Sequence, residues 1–216
     1  MFSALGRRQQ KEPRLTGHGH APVMAWKYTP RDTRISVSAV LSIHNRSELF
    51  RRALDGYLWQ TMPRERWEIV LVDDMSTEDL SASYRHLLGR VNIRHIKIDH
   101  RRHPVWKARN QGWSGAGPED WFHTPAITTN VGVSMARGDV VCICHPEVLH
   151  APTNFEIASA KLRRRNAYLF GTTYLGTAET NDRLRKSPDW TSLGWPGFLE
   201  SVGAPALQSY GHECYW

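Results

Sequence analysis

The sequence has no apolar run approaching the roughly 20 residues that a membrane-spanning helix requires. Its longest apolar stretches, such as Ile69–Val72, are strand-sized. A secretory leader is also missing: Met1–Leu5 gives way to Arg7, Arg8, Gln9, Gln10 and Lys11 where an apolar segment should continue. These absences predict a cytoplasmic protein with no transmembrane segment. Cysteine is sparse, and Cys142, Cys144 and Cys214 make no disulfide framework. Cys142 and Cys144 stand two apart in an apolar run and so share one strand face, where buried free thiols are expected. No second Cys/His pair lies at zinc-finger spacing, which argues against structural zinc. His212-Glu213-Cys214-Tyr215-Trp216 opens like a zinc-protease helix, but Trp216 fills the second ligand position. There is no Gly-x-x-x-x-Gly-Lys-Ser/Thr loop, and no Gly-x-Gly-x-x-Gly follows the first predicted strand. That speaks against a P-loop nucleotidase and a dinucleotide-dependent dehydrogenase.

The chain does carry a net charge of +7, unevenly spread. Residues 1–34 hold seven Lys/Arg against Glu12 and Asp32, leaving the other 182 residues at +2. A basic arm can touch nucleic acid, anionic lipid or an acidic protein, and it can equally be a solvated tail. The near-neutral remainder gives no reason to expect a nucleic-acid enzyme. Residues 1–34 read as a flexible tail, 35–152 as a folded ligand-binding core, and 153–216 as the start of a second, incomplete region.

From Ile35 the pattern becomes regular. Ile35–Ile43 reads as a buried strand. Ser47–Gln60 places Leu49, Phe50, Ala53, Leu54, Tyr57 and Leu58 on one helical face, with Pro63 as its stop. Trp67–Val72 is a second strand, and Ser76 with Asp79 resembles a capping box for a helix to Leu88. Ile93, Ile96 and Ile98 mark a third strand. The polar stretch 100–123 is long enough to be a functional loop. A helix from Pro125 to Ala136 is closed by Gly138, Asp139–Cys144 is a fourth strand, and Pro152–Arg165 a further helix. Ala167–Tyr174 reads as one more strand. Alternating strands and helices, with nearly continuous apolar strands, imply a mostly parallel sheet covered on both faces. Ligands bind such sheets at the carboxyl ends of the strands, where Ser42–Asn45, Asp73–Ser76 and His145–His150 fall.

Each cluster has a chemical use. Asp73 and Asp74 can accept hydrogen bonds from a base N–H or ribose hydroxyls, or can instead cap the following helix. Glu147 and His145 both face a site if the chain stays extended across Pro146. Carboxylate and imidazole suit Mn²⁺, and a divalent ion bridging two phosphates stabilises a departing diphosphate. The alternative is a loop of merely exposed polar groups. His44 offers a flat face for stacking beside Ser42 and Asn45.

In order and spacing, these clusters resemble family 2 glycosyltransferases of the GT-A fold over residues 35–152. Ser42-Ile43-His44-Asn45 stands where that family has Pro-x-Tyr-Asn. Gln60-Thr61 matches its Gln-Thr segment, and Asp73-Asp74-Met75-Ser76 its Asp-Asp-Gly-Ser. Thr129-Asn130-Val131-Gly132 and Ala136-Arg137-Gly138-Asp139 precede His145-Pro146-Glu147, which occupies the Asp-rich metal motif. The resemblance implies a Rossmann-like three-layer α/β/α fold binding a nucleoside-diphosphate sugar, a UDP-sugar by preference. It places Asp73 and Asp74 on the nucleoside, with Ser42, His44 and Asn45 bordering it. Glu147, His145 and a late His212 would hold Mn²⁺ or Mg²⁺. The acceptor, a glycan, protein or small molecule, is not specified. No carboxylate here lies in the Gly-Phe-Asp-Glu-like segment that supplies the family's catalytic base, so that role is unassigned. Two rivals share the fold: a non-catalytic binding or structural module, and a nucleotidyltransferase. The second would need a Gly-rich loop after the first strand, and Ser42–Arg46 has no Gly.

Overall fold

The computed structural model describes residues 32–99, 125–162, 173–175, 182, 186, 194–202 and 208–210. In chain order its first elements are β1 (Val37–Ile43), α1 (Ser47–Asp55), β2 (Trp67–Asp74), α2 (Leu80–Tyr84) and β3 (Ile93–Ile98). Then come α3 (Pro125–Met135), β4 (Val140–Cys144), α4 (Asn154–Leu162), β5 (Thr173–Leu175), α5 (Gly194–Val202) and β6 (Gln208–Tyr210).

β2 is buried along its whole length, and β1 everywhere but Ser42. A strand with neighbours on both faces has no side to give to solvent, which explains the predominance of Val, Ile and Leu. β1 and β2 pair in parallel, from Val37 opposite Trp67 to Ile43 opposite Asp73. β3 adds in parallel to the far edge of β2, and β4 in parallel to the other edge of β1. The order is therefore β3-β2-β1-β4. The chain steps outward from β1 to β3, then crosses back to set β4 on the opposite side. A short antiparallel pair, β5 with β6, forms a separate sheet.

Two cores flank the main sheet. On one face Val37, Ala39, Leu41 and Ile43 meet Phe50 and Leu54 of α1, Leu80 of α2, and Phe155 and Ala158 of α4. On the other, Val40, Val70 and Val72 meet Val131 of α3 and the adjoining Ala136. This is the three-layer α/β/α arrangement expected from the sequence. Gly132 lets α3 lie close: a Cβ there would stand 2.3 Å from Val40 Cγ1 and 3.2 Å from Val72 Cγ2.

Local departures from expectation have local causes. α1 ends at Asp55 and tightens into a 3-10 turn, Gly56–Trp59, before Pro63 is reached. Ser76 does not cap α2; Asp79 does, its carboxylate accepting from Ser81 N–H at 3.0 Å. That helix gives way at Tyr84 to a 3-10 turn, Arg85–Leu87. Gly138 is not in a left-handed helix-ending conformation. Its role is close approach, since a Cβ would meet Ser38 N at 2.8 Å and Val37 C at 2.9 Å. The stretch 100–123, the tail up to residue 31, and the first part of the predicted strand 167–174 lie outside the described residues. Among the described residues, no helix is long and apolar enough to cross a membrane.

Candidate functional site at the carboxyl end of the sheet

In a parallel sheet the strand order reverses at one point, and loops there diverge to opposite faces and leave a crevice. Here the reversal lies between β1 and β4. A cleft of about 380 Å³ opens at that point, walled by Ser42 near the end of β1, His44 and Arg46 beyond it, Asp74 at the end of β2, and His145 and Glu147 beyond β4. Thr128 and Thr129 of α3 complete it. Five residues singled out from sequence thus share one cleft: Ser42, His44, Asp74, His145 and Glu147.

The backbone around this cleft is strained. Among the described non-glycine residues, only Asn45, Arg46 and Met75 have positive φ, at 55°, 63° and 57°. All three follow strand ends at the site. Side chains rarely adopt this conformation, and it persists where neighbours over-determine it. Asn45 supplies that restraint: its amide N–H donates to Ser76 Oγ at 2.8 Å, and its Oδ1 accepts from Thr77 N–H at 2.9 Å and Glu78 N–H at 3.3 Å. Its carboxamide therefore ties the first loop to the second and does not line the cleft.

His44 is clamped at both ring nitrogens. Nδ1 lies 2.7 Å from the Asp74 carbonyl oxygen, which can only accept, so Nδ1 carries the hydrogen. Nε2 then accepts from Asn45 Nδ2 at 3.1 Å. The ring so held lines the cleft.

The two adjacent aspartates divide their work because successive strand residues point to opposite faces. Asp74 lines the cleft. Asp73 turns into the protein, where Oδ1 accepts from Ser76 N–H at 2.9 Å and Oδ2 from His95 Nε2 at 3.2 Å. Lys97 Nζ stands 3.7 Å away, and Tyr84 hydroxyl donates to His95 Nδ1 at 3.0 Å. Burial alone would raise the Asp73 carboxyl, but hydrogen bonds from His95 and Ser76 outweigh it and hold the group below its ordinary value. Asp73 thus fixes the turn that presents Asp74.

Sequence inspection missed several supporting groups. Thr128, fully buried, meets the Ser42 hydroxyl and donates to Pro125 O at 2.8 Å. Gln60 Nε2 donates to Ala151 O at 2.9 Å, and Thr61 N–H to Pro152 O at 2.9 Å. The Gln-Thr segment therefore anchors the loop that carries Glu147. Its two residues were legible as a motif, but their partners lie some ninety positions away. Arg46, passed over next to Asn45, reaches Glu147 Oε1 at 3.4 Å.

A carboxylate facing a cleft suits a hard divalent ion, which often needs only one or two protein carboxylates alongside a ligand's phosphates. Glu147 meets that requirement, and His145 is exposed on the same strand end. Among the described residues no three His, Cys, Asp or Glu converge into an all-protein metal cage. Binding shared with a ligand's phosphates is the arrangement these donors fit. His212 lies outside the described residues. Cys142 and Cys144 are free thiols, pushed up by burial to about 11 and about 12, and so are inert.

The family model of glycosyl transferase family 2 matches residues 38–204, and the chain belongs to that family. No match to a curated protein was found. Among solved structures, it is similar to Staphylococcus aureus TarS 1-349, with 20% identity and a TM-score of 0.44 over 58% of this chain and 32% of that one. The TarS 1-349 complex with UDP-GlcNAc gives 17% identity and 0.43, over 58% and 30%. The mannosyltransferase PcManGT from Pyrobaculum calidifontis, in complex with GDP-Man and Mn²⁺, gives 21% and 0.41, over 62% and 34%. The chain spans about a third of the length of these proteins.

Proposed function

We propose that this chain carries the donor site of a glycosyltransferase that takes a nucleoside-diphosphate sugar, a UDP-sugar by preference, and passes the sugar to an acceptor hydroxyl. The observation that carries this reading is the meeting of Asp74 and Glu147 in one cleft at the strand-order reversal, within a family 2 chain. Asp74 accepts a base N–H or ribose hydroxyl, and the clamped His44 ring stacks on the base. Ser42 borders the nucleoside, while Asn45 and Asp73 keep both loops in place. Mn²⁺ or Mg²⁺, held by Glu147 with His145, would offset charge on the departing diphosphate. As the acceptor oxygen bonds to the anomeric carbon, the bond from that carbon to the diphosphate oxygen breaks and the hydroxyl proton passes to a base. A cytoplasmic setting accords with the free thiols of Cys142 and Cys144.

Thermal-shift titration with UDP, GDP, CDP and ADP, each with and without Mn²⁺, tests this. One diphosphate at about a hundredfold excess over Kd should stabilise the wild type by about 2.7 kcal/mol. Asp74→Asn should lose that response, and Glu147→Ala should lose its Mn²⁺ dependence. No response to any nucleotide would overturn the reading. Binding without sugar transfer would instead favour the non-catalytic module.

A further inference from the structure

Arg46 lines the cleft, and among the described lining residues it is the one guanidinium or ammonium group. It pairs with Glu147, and Asp74 lines the same cleft, in a site that the proposed function assigns to a diphosphate. An anionic ligand entering a cleft lined by acidic residues needs a positive charge. Arg46 now spends its charge on Glu147 Oε1, at 3.4 Å across a sequence separation of 101 residues. Both side chains are open to solvent, 63% and 39% exposed. An exposed ion pair of that kind adds little to stability, so folding alone does not explain why strained backbone delivers Arg46 there. The left-handed φ of 63° at Arg46, next to another at Asn45, is held by the bonds Asn45 makes to Ser76, Thr77 and Glu78. Strain kept by surrounding restraints is characteristic of ligand clamps.

We propose that Arg46 is the diphosphate-recognising side chain, with Glu147 as its resting counter-charge. The inference rests on the nucleotide-sugar reading and extends it. When a nucleoside diphosphate enters, the guanidinium exchanges the Glu147 carboxylate for phosphate oxygens, which its planar fork matches in geometry. The same exchange frees Glu147 to face a cation. In the resting site the pair leaves the exposed Glu147 carboxylate with a counter-charge.

The experiment is calorimetric titration of UDP against uridine, and GDP against guanosine, with Mn²⁺ and again in chelator. The proteins are wild type, Arg46→Gln, Glu147→Gln and the double variant, each checked for an unchanged melting temperature without ligand. Arg46→Gln should weaken the diphosphate at least tenfold and leave the nucleoside within about twofold, a difference that locates the loss at the phosphates. In chelator, Glu147→Gln should tighten the diphosphate several-fold, and that gain should be largely lost on the Arg46→Gln background. Equal diphosphate binding by wild type and Arg46→Gln overturns the proposal. So does a Glu147→Gln gain that persists undiminished without Arg46, since it would reflect simple relief of repulsion rather than partner exchange. A wild type that binds none of UDP, GDP, CDP and ADP sinks the nucleotide-sugar reading and this inference with it.

Discussion

His150 gives the fold an acid-sensitive point beneath the loop that carries Glu147. Its Nε2 is buried without a hydrogen-bond partner. The ring packs against Tyr57 at 5.2 Å and Phe155 at 6.3 Å between centroids. Burial without a compensating acceptor disfavours the imidazolium and lowers the pKa to about 4. In the unfolded chain the same group takes its proton near pH 6.5. Between those values the unfolded state holds more protons than the folded one, so stability falls as pH drops and is unaffected above the window. The linkage costs about 2 kcal/mol on going from about pH 8 to about pH 5, and at most about 3 kcal/mol below pH 4. Tyr57, the titratable group packed on the ring, is itself raised by burial and does not titrate in that range. His150→Phe keeps an aromatic ring in the cluster and removes the proton site. Urea unfolding of both proteins, followed by tryptophan fluorescence from about pH 8 to pH 5, should show the variant gaining about 2 kcal/mol on the wild type. Parallel stability curves would refute the reasoning and mean that the imidazole finds a partner or water when charged.

Three further tests address the scaffold. Glu68 is wholly buried, accepting from Ser38 hydroxyl at 2.8 Å, Arg137 N–H at 2.9 Å and Arg94 Nη1 at 3.3 Å. Glu68→Ala removes the acceptor of the Ser38 hydroxyl and leaves the largely buried Arg94 guanidinium with the Met135 carbonyl but no counter-charge, and should cost about 3–5 kcal/mol by denaturant unfolding. Gly132→Ala drives a methyl into Val40 and should cost about 1–3 kcal/mol. Adding Val40→Ala should recover part of that loss if the clash is its cause. Because the folded Asp73 carboxyl lies below its ordinary value, its contribution is present above the unfolded pKa and lost as pH falls through the folded one. The stability deficit of Asp73→Asn should thus be constant above about pH 5 and shrink below about pH 4, as unfolding curves across that range would show.

Periodicity in the sequence was enough to locate the four strands of the main sheet and the helices between them. Parallel pairing with both faces covered follows from the nearly continuous apolar character of Val37–Ile43 and Trp67–Val72, because such strands tolerate no exposed side. The motif order placed Ser42, His44, Asp74, His145 and Glu147 at strand ends, since those ends are local features of the chain. Tertiary structure alone decided the strand order β3-β2-β1-β4, and with it which strand ends share the cleft. It also separated Asp73, bound inward to His95 and Ser76, from Asp74 in the cleft wall. The bonds from Gln60 to Ala151 and from Arg46 to Glu147 span about ninety and a hundred residues. Neither leaves a local trace. Hydrophobic period and turn chemistry are properties of neighbours along the chain, whereas a polar side chain takes its role from whichever distant group the packed sheet sets against it.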